Sequence, residues 1–229
     1  MAPILSDFYV GNAAGSFARG KVFQHNALGE SPISGTLASL CGVEAALAGG
    51  DSVELELALR RLESMYSVVF SFGGVPLIYM GDEFAMLNDP LAQDDPAHRH
   101  DNRWIHRPSM DWTAAERRCD PNAVPGRAYN ALLARAVARA RQPSLGASAP
   151  TAMLSSDDQL LTYRRGAPGR RPVFVAVNVG ATPRRLDLAA ITAAGIAHPA
   201  HLHSTTRSLD IVDERIELPG CAFVWIGDT

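Results

Sequence analysis

Apolar residues recur at helical spacing in three stretches of the chain. Helices are predicted over residues 34–48, 51–72 and 127–142, and glycine pairs end the first two. Asp51 followed by Glu54 resembles a capping box at the start of the second helix. The pattern therefore predicts three helices within the first 145 residues.

A short apolar run follows the second helix. Residues 75–80 read VPLIYM, and a run without polar alternation is typical of a strand buried on both faces, as in a parallel sheet covered by helices. Asp82 and Glu83 come directly after it. In a (β/α)₈ barrel the functional groups lie at this C-terminal end of the strands. A helix, a short turn and a buried strand make half of an α/β repeat.

The pattern changes after residue 146 to period-two alternation and short apolar runs. These runs cover residues 160–163, 173–177, 208–212 and 221–226, and turn-forming residues separate some of them. They predict a small antiparallel β-domain. Before them, residues 82–126 form a long polar connection, which in a compact domain is usually functional or disordered.

Composition narrows the class of protein. The chain has 229 residues and a formal net charge of -3, so nothing favours binding to nucleic acid or to an anionic membrane. No apolar run approaches the ~20 residues of a membrane span, and no signal peptide is visible. Three widely spaced cysteines make neither a disulfide framework nor a metal quartet, so a cytoplasmic location is expected.

Five motifs occur in one order along the chain. They are GSFARG at 15–20, FQHN at 23–26, ISGT at 33–36, GGVPLIYMGDE at 73–83 and DNRWIHRP at 101–108. Together they resemble the C-terminal part of the α-amylase superfamily of glycoside hydrolases. The resemblance covers roughly residues 8–145, and it is strongest to the amylosucrase and sucrose hydrolase branch.

The resemblance implies a fold that combines an α/β part with an all-β part. Residues 1–35 would be the tail of a loop domain after barrel strand seven. Residues 36–145 would be the C-terminal portion of a (β/α)₈ TIM barrel, with 75–80 as its eighth strand. Residues 146–229 would form an antiparallel β-sandwich domain.

The resemblance also implies that the catalytic groups lie outside this chain. Cleavage of a glucosyl bond with retention needs two carboxyl groups about 5–5.5 Å apart. This superfamily adds a third carboxylate, and it carries all three on barrel strands four, five and seven, upstream of residue 1. We therefore expect no catalytic residue here, and a C-terminal fragment that is inactive alone. No cofactor or metal is expected.

Three side chains are predicted to contact the substrate. Arg103 matches the family arginine that reaches the glucosyl subsite, and a planar guanidinium suits the binding of sugar hydroxyls. Arg107 fits a rival alignment. Gln24 and Asn26 match amides near the acceptor and fructosyl subsites, although backbone-capping amides in an irregular loop explain them equally well.

Other polar side chains of the long connection have structural explanations. Asp82 and Glu83 are adjacent, so they leave the predicted strand in opposite directions, and loop-anchoring hydrogen bonds suit them better than catalysis. The histidines of this connection, His98, His100 and His106, lack the ligand spacing of a tetrahedral metal site. We expect them at solvated positions in the loop.

Two alternatives to a sucrose-active fragment stay open. The first is a non-catalytic module that binds carbohydrate or complements another chain. The second is a fragment of a trehalose-synthase or oligo-glucosidase relative. If the chain is instead the sucrose-active fragment, the expected partner of the parent enzyme is sucrose or an α-glucan. Pro32 replaces an arginine of polymer-forming amylosucrases, which favours hydrolysis or short acceptors. Exposed barrel edges would promote self-association.

Overall fold

A computed structural model describes residues 2–23, 31–154, 157–167, 170–205, 211–212 and 214–228. Its helices are Ala2–Tyr9 (α1), Leu37–Cys41 (α2), Val43–Gly49 (α3), Ser52–Ser71 (α4), Trp112–Glu116 (α5), Val124–Ala140 (α6) and Leu188–Ala193 (α7). Its strands are Lys21–Val22 (β1), Ile33–Ser34 (β2), Thr151–Met153 (β3), Leu160–Arg165 (β4), Val173–Asn178 (β5), Arg184–Asp187 (β6), Pro199–Ser204 (β7), Ile211–Val212 (β8), Arg215–Leu218 (β9) and Phe223–Asp228 (β10). Short 3₁₀ helices cover Asp82–Phe84, Asn102–His106, Arg117–Cys119 and Pro143–Leu145.

The chain divides into two compact units. Unit 1 comprises Met1–Leu62 and Ile78–Asn130, and unit 2 comprises Glu63–Leu77 and Ala131–Thr229. Of the three boundaries between them, one falls within α4, one between Leu77 and Ile78, and one within α6. Every helix of the described residues is too short or too polar to cross a bilayer.

In unit 1, the helix predicted over residues 34–48 is two helices, α2 and α3. Gly42 separates them with a φ of 101°, a left-handed conformation that favours glycine. Its N–H donates to the carbonyls of Ala38 and Ser39, which ends α2. The hydroxyl of Thr36 accepts from the Ser39 N–H and begins the same helix.

The start of α4 is capped as the sequence predicts, but only on one side of the capping box. The Asp51 carboxylate accepts from the backbone N–H groups of Val53 (2.9 Å) and Glu54 (3.0 Å). In a full capping box the Asp51 N–H would donate to the Glu54 carboxylate; here it donates to the Ala46 carbonyl. The Glu54 carboxylate lies 3.4 Å from the Arg61 guanidinium instead.

The core of unit 1 joins the helices to the polar connection that follows residue 81. Ala85 and Leu87 of that connection pack against side chains of α2, α4 and α6. The buried members of this cluster are Ala38, Cys41, Val43, Ala58, Leu59, Leu62, Ala85 and Ala128. Burial of these apolar groups fixes the first residues of the connection.

In unit 2, two antiparallel sheets form the β-region. The first has the strand order β3-β4-β5-β10-β7, and the second has the order β6-β9-β8. The predicted runs 160–163, 173–177 and 221–226 correspond to β4, β5 and β10. The run 208–212 lies partly outside the described residues. An antiparallel β-region after residue 146 is therefore confirmed.

A single apolar cluster contains side chains of both sheets. Phe174 and Val224 come from the five-stranded sheet, Leu186 and Ile216 from the three-stranded sheet, and Ile191 from α7. All six residues of β5 are buried. The short apolar runs in the sequence thus supply many of the side chains that hold this region together.

Helix α4 contacts the β-region of unit 2 through hydroxyl groups. Three serines, spaced three and four residues apart along one face of the helix, are almost completely buried. Their hydrogen bonds are Ser64 to the Cys221 carbonyl (2.8 Å), Trp225 Nε1 to Ser67 (2.9 Å) and Ser71 with the Tyr163 hydroxyl (2.7 Å). Each buried hydroxyl therefore has a partner, as low-polarity surroundings require.

The strand predicted at residues 75–80 is not formed, so this prediction is wrong for the structure described. Residues 75–79 have no regular secondary structure. Val75 is 86% exposed and Leu77 is 76% exposed. A strand buried on both faces needs hydrogen-bond partners at its edges and covering layers above and below. No described residue pairs with this segment.

Candidate functional site

The predicted site residue Arg103 lies in the 3₁₀ helix Asn102–His106 of unit 1. Asp101 begins this helix, because its carboxylate accepts from the Arg103 backbone N–H at 3.0 Å. A short acidic side chain before a turn of helix makes this local hydrogen bond readily. The backbone around Arg103 is thereby fixed within the polar connection.

The Arg103 side chain is paired with the same aspartate. Its Nε lies 2.9 Å from Asp101 Oδ1 and its Nη2 lies 2.7 Å from Asp101 Oδ2, which is a fork geometry. Hydrogen bonds from Arg103 lower the pKa of Asp101 to about 2. The same pairing raises the pKa of Arg103. The pair is therefore charged on both sides at neutral pH.

One edge of the Arg103 guanidinium stays available. The side chain is 48% exposed, and Nη1 has no hydrogen-bond partner among the described residues. The opposite face of Arg103 is not bare, because its Cζ lies 4.9 Å from the centre of the Phe23 ring. An oriented, exposed guanidinium edge beside an aromatic ring can donate to sugar hydroxyls.

The other two predicted contact residues, Gln24 and Asn26, lie outside the described residues. Their neighbour Phe23 is described, and its N–H donates to the Pro32 carbonyl at 2.7 Å. Phe23 thereby extends the pairing of β1 with β2. The structure brings Arg103 next to the residue that precedes Gln24.

A stack of planar side chains lies beside Arg103. The rings of His98 and Trp104 are 3.8 Å apart and within 20° of parallel. The His98 ring also lies 3.1 Å from the Asp95 carboxylate. Arg107, the rival of Arg103, has its Cζ 5.5 Å from the Trp104 ring centre. Trp104 thus packs within the connection, and Arg107 packs against the Trp104 ring.

The three histidines of the connection have separate surroundings. His98 contacts Asp95, His100 accepts from Arg99, and the His106 ring lies 6.0 Å from the Tyr79 ring. Burial lowers the pKa of His106, and the nearby Arg107 charge lowers it further. Within the described ranges, no three His, Cys, Asp or Glu side chains converge as metal ligands.

Asp82 and Glu83 serve the local turn. The Glu83 carboxylate accepts from the Gly81 N–H at 2.9 Å, which is the loop-anchoring hydrogen bond that the sequence predicts. Asp82 is 8% exposed. The Asp82 N–H donates to the Tyr79 carbonyl. The geometry of the pair matches a structural role.

A second concave surface in unit 1 was not predicted from the sequence. It is an open cleft of about 920 Å³ between helices α3 and α4, the first residues of α6 and the polar connection. Arg103 does not line it. Its lining combines apolar side chains such as Leu47 and Phe84 with the polar Asp111 and Arg117. These residues are far apart in sequence, so no linear motif marks them.

Comparison with known proteins gives a fold. No protein-family model matches the chain. Among solved structures, a trehalulose synthase variant in complex with Tris matches with a TM-score of 0.57 and 17% identity. Trehalulose synthase from Pseudomonas mesoacidophila MX-45 matches with a TM-score of 0.54 and 16% identity. A further variant, in complex with the substrate sucrose, gives the same two values.

These matches cover 73% of this chain and 38% of the trehalulose synthase chain. Over the matched residues, the chain has the fold of part of trehalulose synthase. It spans well under half the length of the enzymes that it matches. At this level of identity, the similarity concerns the fold alone.

Proposed function

We propose that this chain is the C-terminal part of a sucrose-active glucosyltransferase or glycoside hydrolase of the amylosucrase-like branch. The observation that carries the proposal is the fold match to trehalulose synthase, one structure of which contains the substrate sucrose. The order of the five sequence motifs supports the choice of branch. Pro32 supports hydrolysis or short acceptors over polymer synthesis.

In this proposal Arg103 contacts the glucosyl unit. Its Nε and Nη2 are bound to Asp101, and the Nη1 edge faces away from that pair. Because Asp101 fixes the guanidinium plane, little side-chain entropy is lost when a sugar binds. Gln24 and Asn26 contribute amide hydrogen bonds on the acceptor side. No residue of this chain is assigned a catalytic role.

The proposal extends to the domains that the sequence motifs predict. Residues 1–35 belong to a loop domain, residues 36–145 to the C-terminal part of a (β/α)₈ barrel, and residues 146–229 to a β-sandwich. Val75 and Leu77 are exposed here, and in the proposal the strands that would pair with this segment and the layers that would cover it belong to the rest of the barrel. The remaining strands and the catalytic carboxylates belong to the rest of the barrel, so the chain alone is inactive. Free thiols at Cys41, Cys119 and Cys221 support a cytoplasmic location.

The proposal includes a consequence for association. Open strand edges and exposed apolar groups favour contact between copies. The chain on its own therefore self-associates, and the partner of the parent enzyme is sucrose or an α-glucan.

Two measurements on the purified chain test the function. The first follows release of glucose and fructose from sucrose, and we expect none. The second titrates sucrose while side-chain NMR signals are recorded, and we expect weak binding. Arg103→Ala should weaken it about tenfold or more, because a hydrogen bond to a charged group contributes roughly 1.5 kcal/mol. Arg107→Ala is the matched control and should bind as the unchanged chain does.

The outcomes separate the alternatives. Sucrose turnover by the chain alone would overturn the assignment of catalysis to other strands. Binding of maltoheptaose without binding of sucrose would favour a carbohydrate-binding module. Sucrose binding that is lost in Arg107→Ala and kept in Arg103→Ala would favour the rival alignment.

A further inference from the structure

A network of three hydrogen bonds, made by Lys21, Gln93 and Asn102, lies next to Arg103 in unit 1. The Lys21 ammonium donates to the side-chain carbonyl of Gln93. The Gln93 amide nitrogen donates to Asn102 Oδ1 at 2.8 Å. The Asn102 amide nitrogen donates to the Val22 carbonyl at 2.6 Å. The network therefore begins and ends on β1, and its two amide side chains belong to the polar connection.

The direction of these hydrogen bonds is fixed by the groups at the two ends. An ammonium group can only donate and a backbone carbonyl can only accept. Asn102 must then turn its nitrogen to Val22 and its oxygen to Gln93, and Gln93 must turn its oxygen to Lys21. Each amide uses one donor and one acceptor without conflict. Such fully matched networks hold a single geometry better than isolated bonds do.

Arg103 is positioned by the two residues that precede it. Asp101, two residues earlier, binds the guanidinium through Nε and Nη2. Asn102, directly before Arg103, binds the Val22 carbonyl. The Arg103 Cζ then lies 4.9 Å from the ring of Phe23, the residue after Val22. Two adjacent bonds thus set both the plane of the guanidinium and its distance from β1.

We propose that Asn102 is a positioning residue that fixes Arg103 against β1 through its hydrogen bond to the Val22 carbonyl. The proposal rests on the proposed function, in which Arg103 contacts the sugar. Asn102 itself does not contact the substrate. An asparagine suits this position because its amide nitrogen donates to the Val22 carbonyl while its amide oxygen accepts from Gln93. Aspartate provides no donor, and leucine provides neither.

The first test needs no sugar. Nuclear Overhauser effects between the Arg103 side chain and the Phe23 ring are measured in the unchanged chain, in Asn102→Asp and in Asn102→Ala. We expect these signals in the unchanged chain and their loss in both variants. Asn122→Ala is the matched control, since Asn122 is an exposed asparagine of the same connection. Persistence of the signals in Asn102→Asp would overturn the proposal.

The second test is sucrose titration of the same proteins, together with thermal unfolding. We expect sucrose binding to weaken about tenfold in Asn102→Asp, as misplacement of a contact group commonly does, while the melting temperature stays close to that of the unchanged chain. Loss of the Phe23 signals with unchanged sucrose affinity would overturn the positioning role. If the unchanged chain binds no sucrose, the proposed function fails, and the Phe23 signals alone decide whether Asn102 positions Arg103.

A second variant covers the case in which Asn102 variants do not fold. Gln93→Glu keeps the acceptor for Lys21 and removes the donor to Asn102, and residue 93 is exposed. We expect it to weaken the Arg103–Phe23 signals and the sucrose affinity in the same direction as Asn102→Asp. Unchanged signals in folded Gln93→Glu, with Asn102 variants that unfold, would assign Asn102 a purely structural role and overturn the proposal.

Discussion

The indole nitrogen of Trp225 donates a 2.9 Å hydrogen bond to the hydroxyl of Ser67. Both side chains are completely buried, Trp225 on β10 and Ser67 on α4. The bond lies between Ser64 and Ser71, which make the other two hydroxyl contacts of the helix with the β-region. A polar seam of three serines therefore holds α4 in a fixed register within unit 2.

Ser67→Ala should destabilise the chain by about 1–3 kcal/mol. The substitution removes the acceptor and leaves the buried Trp225 N–H without a partner, and the desolvation of that group is then uncompensated. Urea unfolding followed by tryptophan fluorescence measures the change. Ser109→Ala, at an exposed position, is the control and should shift the free energy of unfolding by less than about 0.5 kcal/mol. Equal effects of the two variants would contradict the role of the seam.

Arg165→Met should cost about 3 kcal/mol of stability. The Arg165 side chain is 1% exposed, and its guanidinium donates to the carbonyls of Ala149 (2.6 Å) and Gly146 (2.7 Å). Methionine fills similar volume but removes both hydrogen bonds; the Gly146 carbonyl keeps the Ala149 N–H as a donor, whereas the Ala149 carbonyl loses the Arg165 donor. Hydrogen bonds to charged groups contribute roughly 1.5–3 kcal/mol each. Arg164→Met on the same strand is the matched control, measured by the same urea unfolding. A smaller loss for Arg165→Met than for the control would refute this prediction.

Stability should rise between pH 4 and pH 6.5 because of His203. Burial, with smaller contributions from the charges of Arg135 and His201, lowers the pKa of His203 from 6.5 to about 4. The unfolded chain therefore binds a proton in this window that the folded chain does not, so acid favours unfolding. Above pH 6.5 both states are neutral and the effect is constant.

The size of the pH effect follows from the shift in the His203 pKa. One unit corresponds to 1.36 kcal/mol, which gives about 2 kcal/mol once the partial solvent contact of the ring is allowed for. Urea unfolding at pH 4.5 and 7.0 measures it, and His203→Gln should reduce the difference by most of this amount. His198→Gln, at an exposed histidine, should leave it in place. Burial also lowers the pKa of His201, so a smaller pH dependence of the same sign should persist.

Leu77→Glu should reduce the proposed self-association. Leu77 is 76% exposed, so a charge there removes an apolar contact without disturbing a core. Sedimentation velocity should show a shift toward the 24.5 kDa monomer. Val53→Glu changes an equally exposed residue, at 69%, on the first turn of α4 and should have no such effect. If both variants behave alike, the association does not use the segment around Leu77.

The helices were the most predictable part of the fold. The predicted spans 51–72 and 127–142 lie close to α4 and α6, because long apolar periodicity and the Asp51 cap specify them locally. Gly42 was not recognised as a break, since only the contact of its backbone with α2 requires the left-handed conformation. The serine seam was also missed, because serine is read as polar until its partners are known.

The segment at residues 75–80 shows why an apolar run does not by itself make a strand. Strand formation depends on neighbours that supply hydrogen bonds, and these are not specified by the run. β4 and β5, in contrast, have partners close by in the chain and were predicted correctly. β7, with the alternating histidines 201 and 203, was not predicted, because its side chains do not form an apolar run.

For the candidate site, the sequence predicted the residue type but not its setting. Arg103 is exposed and oriented, as a sugar contact requires, and its role stays a prediction. Asp101 and Asn102 belong to the motif at 101–108, but the hydrogen bonds by which they orient Arg103 depend on a turn and on β1, which the motif does not show. The large cleft was invisible for the same reason, since its walls come from four separate segments.

Gly126, in the first turn of α6, limits where this chain tolerates engineering. Any Cβ at that position would overlap the carbonyl oxygen of Asp120, so the five residues between them form a closed backbone turn. A tag, a fluorescent reporter or a natural duplication inserted between 120 and 126 would force the helix start apart. The exposed residues 94–97 lie earlier in the same connection, and lengthening there leaves the start of α6 untouched.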